Sequence, residues 1–310
     1  MALSIHTNYS SLVTQTNLNK TNNALSTNQQ RLGTGLRINS AADDAAGLQI
    51  ATRLNAQSRG MAVAMRNTGD AISLLQTAEG AFNEMTDILQ RMKDLATQSA
   101  NGTNSTDDRT ALQSEYDELG KELANIISNT TYAGERLFAA EDGIADGDEG
   151  KFGATAAGVS FQIGATSAET LTMDVSADLT TLIGATGLGG ISAMFTALAA
   201  APDADTTAVT TNTELNAATA NTTIDSVSDV LDLIGGMRAS FGANINRLNH
   251  TANNLANMKD NTEMAKGRIM DADFASESAN MSKNSMLMQS GISMLKQAGQ
   301  MPGMVMSLLG

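Results

Sequence analysis

The sequence predicts a mainly α fold in which both chain ends form long, antiparallel, coiled-coil-like helices, with small β-hairpins and a short central insertion between them. Residues 1–60 and 223–310 both carry long helical apolar patterns that are too narrow to bury themselves. The only prolines are Pro202 and Pro302, so no proline breaks a helix in the first two thirds of the chain. Aromatic residues make up only 3% and Trp is absent, which argues against a thick globular core.

The N-terminal segment, residues 1–32, is predicted to be a weak amphipathic helix. Its large apolar residues are few and stand among Asn, Thr, Ser and Gln, which are poor helix formers. Alone in water, such a segment should be largely unfolded. Residues 33–44 form a turn-rich break. The apolar positions of the first helix are Ile5, Tyr9, Leu12, Leu25 and Leu32.

A stronger helix is predicted over residues 45–100, and a second over 109–130. Between them, residues 101–108 form a loop that ends in good N-cap residues, so the two helices should fold back as a hairpin. Apolar residues recur at helical spacing at Met61, Met65, Thr68, Ile72 and Leu75, then at Phe82, Met85, Leu89, Met92 and Ala96, and in the second helix at Leu112, Tyr116, Leu119, Leu123 and Ile126.

The pattern changes after these helices. Apolar and polar residues alternate over residues 132–176 with glycine-containing breaks, which predicts short strands in hairpins. Residues 177–222 are rich in Ala, Thr and Gly, and we interpret them as a small surface insertion or a partly ordered loop.

Helical spacing returns at residue 223. Ten positions from Ile224 to Leu255 keep heptad spacing, and only Arg238 interrupts the apolar seam, which predicts a partner helix. A last helix follows a charged stretch and ends in an apolar cluster. Its apolar positions are Phe274, Met281, Met288, Ile292, Leu295, Val305, Met306, Leu308 and Leu309.

Charge and composition exclude several classes of protein. The net charge is −14, and no Lys or Arg lies between Lys151 and Arg238, which argues against nucleic-acid binding. No Cys is present, so thiolate sites and disulfides are excluded. The two His residues have no nucleophile nearby in sequence, and we predict no catalytic, cofactor-binding or metal-binding residue. The N-terminus lacks the pattern of a cleaved signal peptide, and no apolar run is long enough to span a membrane.

Several long stretches resemble bacterial flagellin, the filament protein of the flagellum. They occur in order along both ends of the chain, roughly over residues 1–176 and 223–310, and are more specific than any single short motif. They are LGTGLRINSAADDAAGLQIATRL (32–54), LQRMKDLATQSANGTNS (89–105), NTTYAGERLF (129–138), FQIGA (161–165), RLNHTANNL (247–255), DADFASESANMSK (271–283) and VMSLLG (305–310).

This resemblance implies a domain arrangement. Residues 1–40 and 266–310 would form the two parts of an inner filament-core domain, 41–176 and 223–265 the two parts of a rod domain with β-hairpins, and 177–222 a short variable outer insertion. It also implies an extracellular filament used for motility, built from many copies of the chain, and export without a cleaved signal. The other implied partners are flagellar cap and junction proteins and an export chaperone; no nucleic acid or membrane is expected.

We expect the terminal helices to carry filament assembly. Arg31, Arg37 and Asp43, with Asp44, are candidates for ion pairs between subunits, although solvated surface charge is an equal alternative. The apolar candidates are Ile5, Leu12, Leu25, Leu32, Met288, Ile292, Leu295, Val305, Leu308 and Leu309.

The resemblance further implies recognition by a Toll-like innate immune receptor through Arg91, Leu95, Gln98 and Glu115, with Leu95 as an exposed apolar anchor beside Arg91. These residues could instead contact neighbouring subunits. The C-terminal Val305, Leu308 and Leu309 resemble a segment that a cytosolic immune sensor reads. An alternative function is a flagellin-like hook–filament junction protein. A small enzyme or ligand-binding domain within residues 132–222 is the remaining hypothesis, and the absence of His and Cys there argues against it.

Overall fold

The computed structural model describes residues 8–138, 150–152, 158–184, 187–193, 195 and 214–309. The chain divides into two compact units. The terminal unit consists of Met1–Arg59 and Lys259–Gly310, and the middle unit is Gly60–Met258. The division falls within two long helices, whereas the sequence suggested domain boundaries at 40/41 and 265/266.

Long helices dominate the described residues, which confirms the mainly α prediction. The strands form two separate antiparallel pairs, β1 with β2 and β3 with β4, in the region where hairpins were predicted. The helices are α1 (Tyr9–Thr34), α2 (Ala45–Ser99), α3 (Thr106–Asn129), α4 (Ser176–Ile183), α5 (Leu188–Ile191), α6 (Ala220–Met270) and α7 (Phe274–Leu309), and the strands are β1 (Thr131–Tyr132), β2 (Glu135–Arg136), β3 (Val159–Gln162) and β4 (Thr170–Met173).

In the terminal unit, α1 and α7 pack side by side and run antiparallel. The start of α1 contacts the far part of α7, because Asn8 Nδ2 donates a hydrogen bond of 2.6 Å to the Ala298 carbonyl. The end of α1 contacts the start of α7 through Arg31 and Glu277. Helix α1 ends at Gly35, which has a φ of 73° and so takes the left-handed conformation that glycine favours. The predicted break after α1 is therefore confirmed.

The core of the middle unit is built on heptad stripes. On α6, five residues seven apart are buried: Val227, Ile234, Phe241, Leu248 and Leu255. These five residues are every second position of the predicted seam, and their burial confirms that half of it. The other five positions, which recur every seven residues from Ile224, are only half-buried. The positions one residue before the first three of these, Thr223, Val230 and Met237, are the buried ones.

Four phenylalanines form the centre of this core. Phe82 of α2 lies 4.9 Å from Phe138 and 5.4 Å from Phe241 between ring centroids, and Phe152 lies 5.3 Å from Phe241. All four side chains are almost fully buried. Four of the ten aromatic residues of the chain thus lie where they bury a large surface per residue.

Helices α2 and α3 form the predicted hairpin. Ser105 caps α3 with a capping box, in which its hydroxyl accepts from the Asp108 N–H and the Asp108 carboxylate accepts from the Ser105 N–H. The hydrogen bonds that the Asp108 carboxylate accepts from the Ser105 hydroxyl and, second, from the Ser105 N–H hold the pKa of Asp108 below its usual value. Arg109 closes the loop by donating to the carbonyls of Ser99 and Asn101.

The interpretation of residues 177–222 as a surface insertion or loose loop is wrong for the described part of that segment. Its apolar side chains are buried in the same core as those of α2 and α6. The short helices α4 and α5 supply most of them, because a helix even of this length can turn its apolar positions to one side. The buried residues are Leu179, Leu182, Leu188, Ile191, Phe195 and Leu215.

Tyr116 connects this segment to α3. Its ring is fully buried, and its hydroxyl donates a hydrogen bond of 2.8 Å to the Ile191 carbonyl. Burial, with smaller contributions from the nearby carboxylates of Glu214 and Asp117, raises the pKa of Tyr116. The phenol therefore stays protonated in the folded chain at pH values at which an unfolded chain would lose the proton.

This shift predicts alkaline sensitivity. Because the folded-state pKa is raised, the stabilisation is complete below about pH 10, the usual tyrosine pKa, and is lost as pH rises above it. Replacement of Tyr116 by Phe should remove this fall in the free energy of unfolding at alkaline pH. It should also lower the free energy of unfolding by about 1–3 kcal/mol at neutral pH, because it leaves the Ile191 carbonyl unpaired. Denaturant titrations between pH 8 and 11 measure both effects. Tyr132→Phe is the control, and an equal change of slope in that variant would contradict the assignment.

Candidate functional site on the paired terminal helices

The seam between α1 and α7 contains many small and polar side chains beside five large apolar ones. Cα atoms of the two helices approach within 8 Å. At Gly291 a Cβ would lie only 3.0 Å from Leu18 Cδ1, so a larger residue there would crowd the pair. The residues that are at least half-buried recur at heptad spacing and are Ser11, Thr14, Leu18, Thr21, Leu25 and Asn28 on α1, and Glu277, Met281, Asn284, Met288, Gly291, Leu295 and Ala298 on α7.

Large apolar side chains lie on the outside of the same helices. Tyr9 is 64% exposed, Leu12 57% and Met286 65%. An isolated helix pair that turns such residues outward leaves apolar surface in contact with water, and such surface marks an interaction site. The exposed large apolar residues of α1 and α7 are Tyr9, Leu12, Val13, Phe274, Met286, Leu287, Ile292 and Met294, and we call them the outward apolar set.

The candidate assembly residues divide between the two faces. Leu12 and Ile292 belong to the outward apolar set. Leu25, Met288 and Leu295 are half-buried in the seam, and Leu32 is half-buried near the end of α1. Ile5 lies outside the described residues, and the side chains of Val305, Leu308 and Leu309 do as well, although the backbone of α7 is helical up to Leu309.

The charged candidates have partners within the chain, which differs from the ion pairs between subunits suggested by the sequence. Arg31 donates to Glu277 at 3.0 Å. Arg37 donates to the Ile269 carbonyl at 3.0 Å and lies 4.0 Å from Asp44. Asp43 accepts from the N–H groups of Asn39 and Ser40, and these hydrogen bonds hold its pKa below the usual value. Arg37 and Asp43 thus stabilise the connection after α1.

Sequence reasoning missed several members of the outward apolar set. Val13, Met286, Leu287 and Met294 stand beside the positions singled out from the apolar spacing. Apolar spacing predicts which residues are buried, so it does not indicate apolar residues that lie outside the predicted stripe. The signal was present in the polar residues, since Ser11, Thr14, Thr21 and Asn28 themselves follow heptad spacing and so indicate the inner seam.

The predicted receptor-contact residues occupy the α2–α3 hairpin. Arg91 Nε and Nη2 both donate to Glu115 Oε1, at 2.9 and 2.6 Å, and both side chains are exposed, as is Gln98. Leu95, however, is only 1% exposed and lies in the middle-unit core. The expectation that Leu95 is an exposed anchor is wrong, because the helical stripe that buries Met92 and Ala96 also includes Leu95.

The described residues contain no group of three or more His, Cys, Asp or Glu side chains placed to hold a metal ion. Among the helices in the described part of the chain, none combines the length and apolar character that crossing a membrane requires.

Comparison with known proteins identifies the family. The model of the bacterial flagellin N-terminal helical region matches residues 5–142, and that of the flagellin C-terminal helical region matches residues 224–309. The chain belongs to the bacterial flagellin family. These two matched regions contain all of α1, α2, α3 and α7 and nearly all of α6.

Individual flagellins match over their whole length. Flagellin A of Vibrio anguillarum is 38% identical over an alignment of 392 positions, gaps included, that covers all of both chains. Flagellin A of Vibrio cholerae is 36% identical over an alignment of 380 positions, again with full coverage of both. Among solved structures, a putative flagellar hook-associated protein from Vibrio parahaemolyticus aligns with 74% of this chain and all of its own, with a TM-score of 0.55 and 15% identity, which shows a shared fold alone.

Membership in this family settles the broad class of function. Flagellins are structural subunits of a filament and not enzymes, which confirms that part of the sequence prediction. The two regions that match the family lie at the two ends of the chain, which are also the regions where the sequence shows long helical patterns.

Proposed function

We propose that the chain polymerises into the helical filament of a bacterial flagellum through the outward apolar set on α1 and α7. The observation that carries this proposal is that the eight large apolar residues of the outward apolar set are exposed to water, while more than half of the seam residues are small or polar. A chain that acts alone gains nothing from this arrangement. A chain that stacks against its own copies removes the outward apolar set from water.

The energetics favour coupling between folding and assembly. Ordering each residue of a helix costs about 1–2 kcal/mol of conformational entropy. Burial of apolar surface stabilises by about 25 cal/mol per Å², and the α1–α7 pair leaves the outward apolar set unburied. Neighbouring copies supply the missing area. The terminal helices are therefore marginally stable in a free subunit and become stable in the filament, which keeps free subunits from polymerising before they reach a growing end.

The proposal includes a geometry of assembly. In it the outward apolar set of one copy meets a different surface on the next, so that the contacts are heterologous and repeat by a rotation and a rise. Such contacts produce an open helical filament. Within this proposal the cap and junction proteins of the flagellum contact the same terminal helices at the two ends of the filament, and an export chaperone covers the C-terminal helix before export to the cell exterior.

Electron microscopy of the purified chain after addition of filament seeds tests the proposal. We expect long, uniform filaments whose subunits contain both α1 and α7. A hook–filament junction protein, the alternative function, would remain monomeric or form short, closed assemblies under the same conditions. The whole-length match to flagellins supports the filament subunit over that alternative.

We also propose that an innate immune receptor reads the exposed surface around Arg91, Gln98 and Glu115. The ion pair between Arg91 and Glu115 fixes two of these side chains on neighbouring helices and presents them together. Leu95 contributes by holding α2 in the core and not by direct contact, because it is buried.

Replacement of Arg91 by Ala should reduce receptor activation by about tenfold, since an arginine anchor at an interface is commonly worth more than 1 kcal/mol. The half-maximal dose in receptor reporter cells measures the effect. Arg66→Ala, which also removes an exposed arginine from α2, is the matched control. Equal activity of the two variants would exclude this surface as the receptor contact. Thermal unfolding should be nearly unchanged in both, because exposed ion pairs contribute only about 0–1 kcal/mol.

A further inference from the structure

A polar layer crosses the seam of the terminal helices where α1 ends and α7 begins. Arg31 donates to Glu277 Oε1 at 3.0 Å. With its amide oriented to satisfy its neighbours, Asn28 donates to Glu277 Oε2 at 3.1 Å and accepts from Asn284 at 3.1 Å. Asn28 and Glu277 are each only 8% exposed. These four residues, Asn28, Arg31, Glu277 and Asn284, are called the polar layer.

The position of the polar layer suits one alignment of the helices. Arg31 lies in the last turn of α1, where the helix dipole favours a cation, and Glu277 lies in the first turn of α7, where it favours an anion. A parallel arrangement or a shift by one heptad would separate Arg31 from Glu277. Glu277, whose side chain is only 11% exposed, would then be largely buried without its cationic partner, which costs more than the pair itself contributes.

The rest of the seam constrains the register less strictly than the polar layer does. About half of its residues are large and apolar, namely Leu18, Leu25, Met281, Met288 and Leu295, and the others are small or polar. Leu18 fits against Gly291 in the observed register, but apolar contacts are non-directional. The hydrogen bonds and the ion pair of the polar layer require particular partners, so the polar layer adds a directional constraint on the alignment.

We propose that the polar layer sets the register and facing of the α1–α7 pair, and so keeps the outward apolar set free for neighbouring copies. A buried polar contact that fixes register at some cost in stability is well established in coiled coils. Here the same device would fix which side of each helix faces inward. The inference concerns pairing within one chain and can fail or hold independently of the filament proposal.

The register can be measured by disulfide formation between introduced cysteines, because the sequence contains no native cysteine with which they could react. Leu18→Cys with Gly291→Cys reports the observed register, since those residues touch in the structure. Leu18→Cys with Ala298→Cys reports a slip of one heptad. Each pair is placed in the full chain, and the intrachain disulfide is read as the fast-migrating monomer on a non-reducing gel, which separates it from links between copies.

With the polar layer intact, the observed-register pair should form at least about tenfold more disulfide than the slipped pair, as expected for an alignment preference of ~1.4 kcal/mol or more. Replacing all four layer residues by Leu should keep the helices paired and bring the two yields to within about twofold. A strong preference for the observed register in the four-leucine variant would overturn the proposal, as would a failure of the intact chain to form the observed-register disulfide.

Charge reversal provides a second test that does not depend on the apolar variant. Arg31→Glu should lower the observed-register yield by about tenfold, and the double variant Arg31→Glu with Glu277→Arg should recover part of it, since the helix dipoles oppose the reversed pair. Arg53→Glu makes an equal change of charge at an exposed position of α2 and should leave the disulfide yield unchanged. Unchanged register in the Arg31→Glu variant would show that the ion pair does not align the helices.

Discussion

Replacement of Phe241 by Ala should lower the free energy of unfolding of the middle unit by about 3–5 kcal/mol. Phe241 is fully buried on α6, and its ring lies 5.4 Å from that of Phe82 and 5.3 Å from that of Phe152. The truncation removes its own burial, leaves a cavity, and takes away the ring contacts that connect α2 to the segment after the first hairpin. This loss is a large share of the free energy of unfolding of a two-state domain of ordinary stability.

Phe274→Ala is the matched control, because Phe274 is an exposed phenylalanine at the start of α7. Its loss should change stability by no more than about 0.5 kcal/mol. Denaturant unfolding followed by far-ultraviolet circular dichroism measures both variants. Similar midpoints for the two would mean that the four phenylalanines do not form the centre of the core.

Replacement of Leu12 by Asp should abolish filament formation at concentrations at which the unmodified chain polymerises. Burial of a leucine contributes about 1.5–3 kcal/mol, and burial of an unpaired carboxylate in its place costs more. The critical concentration for assembly should therefore rise by at least about a hundredfold. Because Leu12 faces away from the α1–α7 seam, the folding of the middle unit and the pairing of the helices should be preserved.

Asn22→Asp adds the same charge to α1 at an exposed polar position and should assemble almost normally. Sedimentation of the polymer across a concentration series, with electron microscopy of the pellet, compares the two variants. If the Leu12→Asp chain pellets at the same critical concentration as the control, the outward apolar set does not carry assembly.

The sequence predicted those parts of the fold where apolar spacing is wide and regular. On α6, five buried residues recur every seven positions, and on α2 the five predicted positions Phe82, Met85, Leu89, Met92 and Ala96 are all buried. In both helices the pattern is broad enough that only one face can be the inner face. The α2–α3 hairpin followed from a second type of signal, the capping residues before α3, which act locally and need no knowledge of the tertiary fold.

The sequence could not show which face of a narrow pattern lies inside. In α1, Leu12 and Leu25 look equivalent along the chain, yet Leu12 is exposed and Leu25 is half-buried, because the seam is selected by polar residues. Leu95 was wrongly predicted to be exposed for a related reason, because it lies one helical turn from Arg91, which is a surface residue. The described parts of residues 177–222 were misjudged because their composition is that of a loop, while burial depends on six apolar residues among many small ones.

The distribution of tyrosines has an optical consequence. The chain has no Trp and only three Tyr, of which Tyr116 and Tyr132 belong to the middle unit and Tyr9 to α1. Tyr9 lies in the outward apolar set, largely in water, while Tyr116 is fully enclosed. Tyr116 thus supplies a near-ultraviolet signal that reports on the core and is insensitive to what happens at the chain ends. If the chain polymerises as proposed, Tyr9 leaves water when copies stack, and the resulting change in tyrosine absorbance would follow growth of the polymer without a label.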